Sequence, residues 1–224
     1  MDLRPDPAPG TTGPATRAHW VAWGRRLAEL HARPVTGGIA RLPRETYDVG
    51  PLVEAFDRVD RDVARHVPED EPARRLVERW AAERWRLRAV RGRALVPVRP
   101  SPVVPCHADL HQGNVVPTGP DDVEFAGFDR AVLAPPEKDL LFVLGGGVLP
   151  HRPVTGEQQV WFFEGYGPYR ANRELLAHFR CTRALGDVTE AATRVLDHAR
   201  DAAEALAHLE GALSPSGIVG QALS

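Results

Sequence analysis

Cys106-His107-Ala108-Asp109-Leu110-His111-Gln112-Gly113-Asn114 is the stretch on which the reading of this chain turns. It holds His-x-Asp and, five residues after the Asp, an Asn. The chain has only two Asn, Asn114 and Asn172, and nine His. A chance H-x-D-x-x-x-x-N is therefore expected in roughly one chain in a hundred of this composition. Immediately upstream, the Pro-rich span 97–105 reads as extended backbone delivering the loop. Immediately downstream, Val115-Val116, a turn over Pro117–Asp122 and Val123-Glu124-Phe125-Ala126 read as a β-hairpin.

Beyond this centre the pattern is helical. Trp20, Trp23, Leu27 and Leu30 recur at helical spacing, ending at His31-Ala32 before Pro34. Leu52, Phe56, Val59, Val63 and Val67 mark a second helix, stopped by Pro68. Residues 72–91 give a third, with Leu76, Trp80 and Leu87 inward and an Arg-rich polar face. After Pro135-Pro136, helices are expected from 137, near 157–165 and over 173–185. A long last helix would carry Ala191, Val195, Ala199, Ala202, Leu206 and Leu209 on one face. Residues 1–16, rich in Pro, Gly, Thr and Asp, read as a flexible lead-in, leaving 17–224 as the folded domain.

Composition narrows the classes. A formal charge of −2, from 28 basic and 30 acidic residues, offers no global field for nucleic acid or an anionic membrane. No apolar run approaches a membrane span, and the first residues lack the apolar core of a signal peptide. Cys106 and Cys181 form neither a metal-type spacing nor a disulfide framework, so a reducing cytoplasm is the expected compartment. Of the 28 basic residues only Lys138 is a lysine.

The loop resembles the catalytic loop of protein-kinase-like phosphotransferases. In that spacing Asp109 would accept the proton of an attacking hydroxyl and Asn114 would hold a Mg²⁺ that bridges the transferring phosphates. The order of elements resembles the C-terminal lobe of the aminoglycoside phosphotransferase family, relatives of choline kinase, and most resembles its spectinomycin-phosphotransferase-like members. Besides the loop, Leu27-Ala28-Glu29-Leu30-His31, Phe128–Leu140, Glu164-Gly165-Tyr166-Gly167 and Leu176–Arg180 carry the likeness. It implies an α+β, mostly helical C-lobe with one small hairpin after the catalytic loop. It also implies ATP as phosphoryl donor, Mg²⁺, and a small-molecule hydroxyl acceptor such as an aminoglycoside or aminocyclitol, with neither nucleic acid nor membrane as partner.

Two features depart from that family. Its N-terminal β-lobe, with a loop over the nucleotide phosphates and a strand lysine, is expected to be missing: no G-x-G-x-x-G is present and Lys138 follows the catalytic loop. The family pattern apolar-Asp-aromatic-Asp reads here Ala126-Gly127-Phe128-Asp129, so Gly127 stands where a Mg²⁺ ligand is expected. Asp129, two residues on and on the same face if the backbone is extended, is the candidate replacement ligand. These gaps leave two functions open: a truncated, impaired phosphotransferase, or an inactive pseudokinase remnant that serves as a binding module.

The remaining candidates carry more than one reading. His107 fits packing and loop fixation better than proton transfer, and Asp139 fits anchoring of the catalytic loop. Glu137, at the same helix start, and His111 are possible acceptor-binding residues, although an exposed loop His is an equal alternative. His107, Asp109 and His111 alternate as metal ligands on a strand would, but no further His/Asp cluster follows to complete a metallohydrolase site. The run Arg84, Arg86, Arg88, Arg91, Arg93 reads as a solvated helix face rather than a phosphate site.

Overall fold

The computed structural model describes residues 13–146 and 152–224. The elements in chain order are α1 (Arg17–His31), α2 (Gly50–Arg65), α3 (Glu71–Ala94), β1 (Val104–Cys106), β2 (Val115–Pro117), β3 (Val123–Phe125) and β4 (Val132–Ala134). They are followed by α4 (Glu137–Leu140), α5 (Gly156–Tyr166), α6 (Arg173–Leu196), α7 (Ala202–Leu213) and α8 (Ile218–Leu223). The chain divides into two compact units. The first takes 1–46, 99–148 and 153–176, and the second 47–98, 149–152 and 177–224. No helix of the described residues is long and apolar enough to cross a membrane.

In the first unit, Thr16 starts α1 by accepting the His19 amide on its hydroxyl. The stripe Trp20, Trp23 and Leu27 is then wholly buried. Most of the lead-in expected over 1–16 lies outside the described residues; Gly13 and Pro14, however, are buried. Helix α5 begins with a reciprocal cap, Thr155 on the Gln158 amide and Gln158 on the Thr155 amide. The two helices pack backbone to backbone at two glycines. A Cβ on Gly24 would lie 2.0 Å from the Phe162 carbonyl oxygen, and one on Gly165 would lie 1.9 Å from that of Val21. Any side chain there forces the helices apart.

The expected hairpin is β2–β3, antiparallel with Val115 opposite Phe125 and Pro117 opposite Val123. It is not the only strand pair. The Pro-rich span upstream of the loop ends in β1, which pairs antiparallel with β4, Val104 opposite Ala134 and Cys106 opposite Val132. The sequence hid this pair because each strand is three residues long and β1 contains a proline. The His107–Asn114 loop and the hairpin therefore lie between the two strands of one small sheet, which closes the loop at both ends.

In the second unit, α2 and α3 are antiparallel neighbours tied by charge. The Arg run is not simply a solvated face. Arg84 and Arg88 reach Asp60 at 2.8 and 3.3 Å, Arg91 pairs bidentately with Asp57 at 2.6 Å, and Arg86 and Arg93 donate to the carbonyls of Leu213 and Ala222. A sequence window shows a basic stripe; only the fold supplies the acids and carbonyls opposite it. The long last helix is also corrected. Helix α6 runs to Leu196, the chain breaks at 197–201 with His198 at φ 50°, and α7 and α8 follow. Ala191 and Val195 thus lie on α6, and Leu206 and Leu209 on α7.

Candidate active site

The loop after β1 is held from behind by one buried carboxylate. Asp139, 1% exposed, accepts the His107 amide at 2.9 Å on Oδ2 and the Ala108 amide at 2.6 Å on Oδ1. Ala108 sits at φ 67°, a left-handed conformation that a Cβ disfavours by roughly 1–2 kcal/mol. The Asp139 bond to its amide helps hold that turn, and the turn reverses the chain so that Asp109 follows.

His107 is fully buried, and its partners fix its tautomer. Nε2 meets the Ala126 carbonyl at 2.7 Å, and a carbonyl only accepts, so Nε2 carries the proton. Nδ1 then accepts the Asp109 amide at 3.3 Å. The ring packs on Phe128 with centroids 4.5 Å apart. His107 is thus a neutral strut between the loop and the end of β3. From the other side Asn114 donates Nδ2 to the Asp109 carbonyl at 2.7 Å. The backbone of Asp109 is therefore gripped at both its amide and its carbonyl.

Gly127 has φ 73° and ψ 53°, and a Cβ built on it would lie 3.4 Å from Asn114 Nδ2 and 3.5 Å from Oδ1. It therefore faces Asn114 across the site. The extended-backbone argument for Asp129 does not hold: Gly127 is left-handed and Phe128–Arg130 form a 3₁₀ turn. Asp129 is exposed on that turn. Among the site's candidate Mg²⁺ ligands, Asn114 Oδ1 is the donor that fits a hard cation, and Gly127 adds no side-chain oxygen beside it.

The two candidates for acceptor binding have structural partners. His111 Nδ1 accepts the Gly113 amide at 3.0 Å and caps the 3₁₀ turn Gln112–Asn114. Glu137 is buried, and its Oε1 accepts both the Tyr169 hydroxyl at 2.8 Å and the Asn172 amide at 2.7 Å. Burial and that carboxylate together push the Tyr169 hydroxyl well above its ordinary pKa. Lys138 is paired with Glu45 at 2.9 Å.

Sequence reasoning missed one buried relay. His31, at the end of α1, donates Nε2–H to Asp139 Oδ2 at 3.1 Å, and its Nδ1 shares a hydrogen bond with the Tyr166 hydroxyl at 2.7 Å. The only hint was a His closing an apolar stripe, which has no distinctive spacing. Cys106 lies beside it, its thiol pushed well up by burial and by Asp139. The ligand atoms of His31, Cys106 and Asp139 lie within 4.8 Å of one another. All are engaged, however: the thiol donates to the Ala134 and Pro135 carbonyls, and the carboxylate holds two amides and the imidazole. The group is a hydrogen-bonded keystone beneath the loop.

A model of the Phosphotransferase enzyme family matches residues 4–179. The chain belongs to that family. A search of curated proteins found no match. Among solved structures, a spectinomycin phosphotransferase in complex with ADP and spectinomycin is 22% identical with a TM-score of 0.84, covering 100% of this chain and 69% of its own. Its AMP-bound complex is 21% identical at the same TM-score, covering 96% and 68%. An ethanolamine kinase of Plasmodium vivax is 14% identical with a TM-score of 0.56, covering 99% and 64%. These likenesses show the kinase-like fold.

Proposed function

We propose that this chain is the C-terminal lobe of an ATP- and Mg²⁺-dependent phosphotransferase that acts on the hydroxyl of a small molecule, an aminocyclitol or aminoglycoside being the favoured acceptor. The grip on Asp109 carries this reading: an amide bond to His107 and a carbonyl bond from Asn114 fix a carboxylate-bearing residue beside a candidate metal-binding amide. Asp109 would accept the hydroxyl proton, Asn114 Oδ1 would hold Mg²⁺, and His107 and Asp139 would keep the loop in register. Bound Mg²⁺ would supply charge compensation for the transferring phosphoryl group. The spectinomycin-phosphotransferase fold supports the choice of acceptor class.

The same residues favour an impaired enzyme. Gly127 removes one anionic metal ligand, and Lys138 is committed to Glu45, so the described residues offer no lysine to the nucleotide phosphates. Phosphoryl transfer depends almost wholly on positioning and electrostatic compensation. Gly127 thus also favours a second reading, a non-catalytic binding module. A radiolabel assay of the isolated chain with ATP and a panel of aminocyclitols and aminoglycosides tests both. The expected result is no transfer above background; turnover abolished by Asp109→Asn would overturn the impairment and establish the base.

Restoring the carboxylate is the complementary test. Gly127→Asp places a new Cβ against Asn114, so Mn²⁺ affinity measured by calorimetry should rise by about ten-fold or more, as expected for an added anionic ligand. The left-handed backbone at Gly127 makes the variant less stable by about 1 kcal/mol, read from chemical denaturation. Equal Mn²⁺ affinity in two folded proteins would show that Gly127 is not at the metal position.

A further inference from the structure

We propose that Gly13 and His19, on either side of the start of α1, are positioning residues for Asn114. Gly13 bears on the turn that carries the Asn114 side chain, and His19 holds the far end of the hairpin that follows it. The inference rests on the metal role proposed for Asn114. It gives residues 13–19 a part in the site that the loop motif does not contain.

The contact begins where a flexible lead-in was expected. Gly13 is buried, and a Cβ built on it would lie 2.3 Å from the Gln112 carbonyl oxygen and 3.1 Å from its carbon. Only a glycine lets the two backbones come so close. The obstacle is main chain, so it cannot swing aside as the tip of a long side chain would. That carbonyl also accepts the Val115 amide, which closes the 3₁₀ turn Gln112–Asn114. Gly13 thus presses on the turn two residues before Asn114.

His19 ties the same segment to the hairpin. The Ala15 amide reaches Nδ1 at 3.4 Å, and an amide only donates, so Nδ1 accepts and Nε2 carries the proton. Nε2–H then donates to the Gly119 carbonyl, in the turn between β2 and β3, at 2.8 Å. Two helical turns further on, Arg26 grips that hairpin turn through Asp122, at 2.6 and 3.1 Å. Strand β2 is therefore held before its first residue by Gly13 and beyond its last by α1. Asn114 stands at its head, donating Nδ2 to the Asp109 carbonyl at 2.7 Å and accepting the Ala126 amide on its own carbonyl at 3.0 Å. Bringing Gln112 back to ordinary contact with an added Cβ takes a shift of about 1 Å. Two peptide bonds pass that shift to Asn114, and a cation that demands near-octahedral ligands tolerates little of it.

Gly13→Ala in the full chain tests this by NMR and by Mn²⁺ calorimetry. The Asn114 side-chain amide should exchange about ten-fold faster as its bond to Asp109 loosens, and Mn²⁺ affinity should fall about ten-fold. Asp60→Ala weakens the second unit without touching the hairpin; it should change neither reading, which separates positioning from lost stability. His19→Ala should act as Gly13→Ala does, and it carries the test alone if the Gly13 variant does not fold. His19→Gln keeps a donor for the Gly119 carbonyl and should recover most of the loss. Native protection of the Asn114 side-chain amide in both Gly13→Ala and His19→Ala would overturn the proposal, as would equal losses in Asp60→Ala. Mn²⁺ binding that is absent from the native chain, or unchanged by Asn114→Ala, would instead overturn the metal role of Asn114. The side-chain amide would still decide whether Gly13 and His19 position it.

Discussion

Asp139→Ala should lower the free energy of unfolding by about 3–5 kcal/mol and abolish the fixed geometry of the His107–Asn114 loop. The substitution strips the buried amide of His107 and the partly buried amide of Ala108 of their carboxylate partner, and it also releases His31. An orphaned buried donor costs about 1–3 kcal/mol, and here one buried and one partly buried donor lie beside a vacated volume. Ala108 then loses the bond that helps hold it at positive φ. The loop should relax, which amide hydrogen exchange at residues 107–114 will show as lost protection. Asp139→Asn retains one acceptor oxygen and should fall between alanine and the native chain. A loss under about 1 kcal/mol for the alanine variant would mean that the loop is held by its own turn chemistry rather than by Asp139.

In the second unit, Asp60→Ala should cost about 2–4 kcal/mol. Asp60 is 7% exposed and accepts Trp80 Nε1 at 2.9 Å, Arg84 at 2.8 Å through both Nε and Nη2, and Arg88 at 3.3 Å. Burial pushes its carboxyl up, but the bonds from Arg84 and Trp80 and the Arg84 charge outweigh burial and hold it below the ordinary value. Its folded pKa is therefore depressed relative to the unfolded chain. The unfolded chain takes up the proton first as pH falls, so the contribution of Asp60 is fully present above about pH 4 and is lost below it, through the depressed folded value. Unfolding midpoints measured from pH 7 to pH 2 should fall more steeply for the native chain than for Asp60→Asn, the two converging in acid. Parallel curves would show that Asp60 titrates alike in both states.

What could be read without the fold was whatever is local. The loop motif lies within nine consecutive residues, so its spacing alone presents Asp109 and Asn114 together. The hairpin β2–β3 was legible because its two runs are separated by a turn rich in Pro, Gly and Asp. Helices α1, α2 and α3 were legible because an apolar stripe with a helical period is a short-range signal, bounded for the first two by Pro34 and Pro68. The family pattern likewise located Gly127 opposite Asn114, although its left-handed backbone, which undid the case for Asp129, was not visible.

What only the tertiary structure decided was every partner distant in sequence. Asp139 meets His107 across 32 positions and His31 across 108, and Asp60 meets Arg84 across 24. Nothing local distinguishes an arginine destined for Asp60 from one destined for water, since both sit on the same helical period and differ only in what another helix brings opposite. The same holds for β1 with β4, each too short to announce itself before it is paired, and for Gly24 and Gly165, whose bare backbones make sense only once α1 and α5 are in contact. Sequence spacing specifies groups on one element through its repeat; their pairing across elements is set by chain closure and packing, which no single window contains.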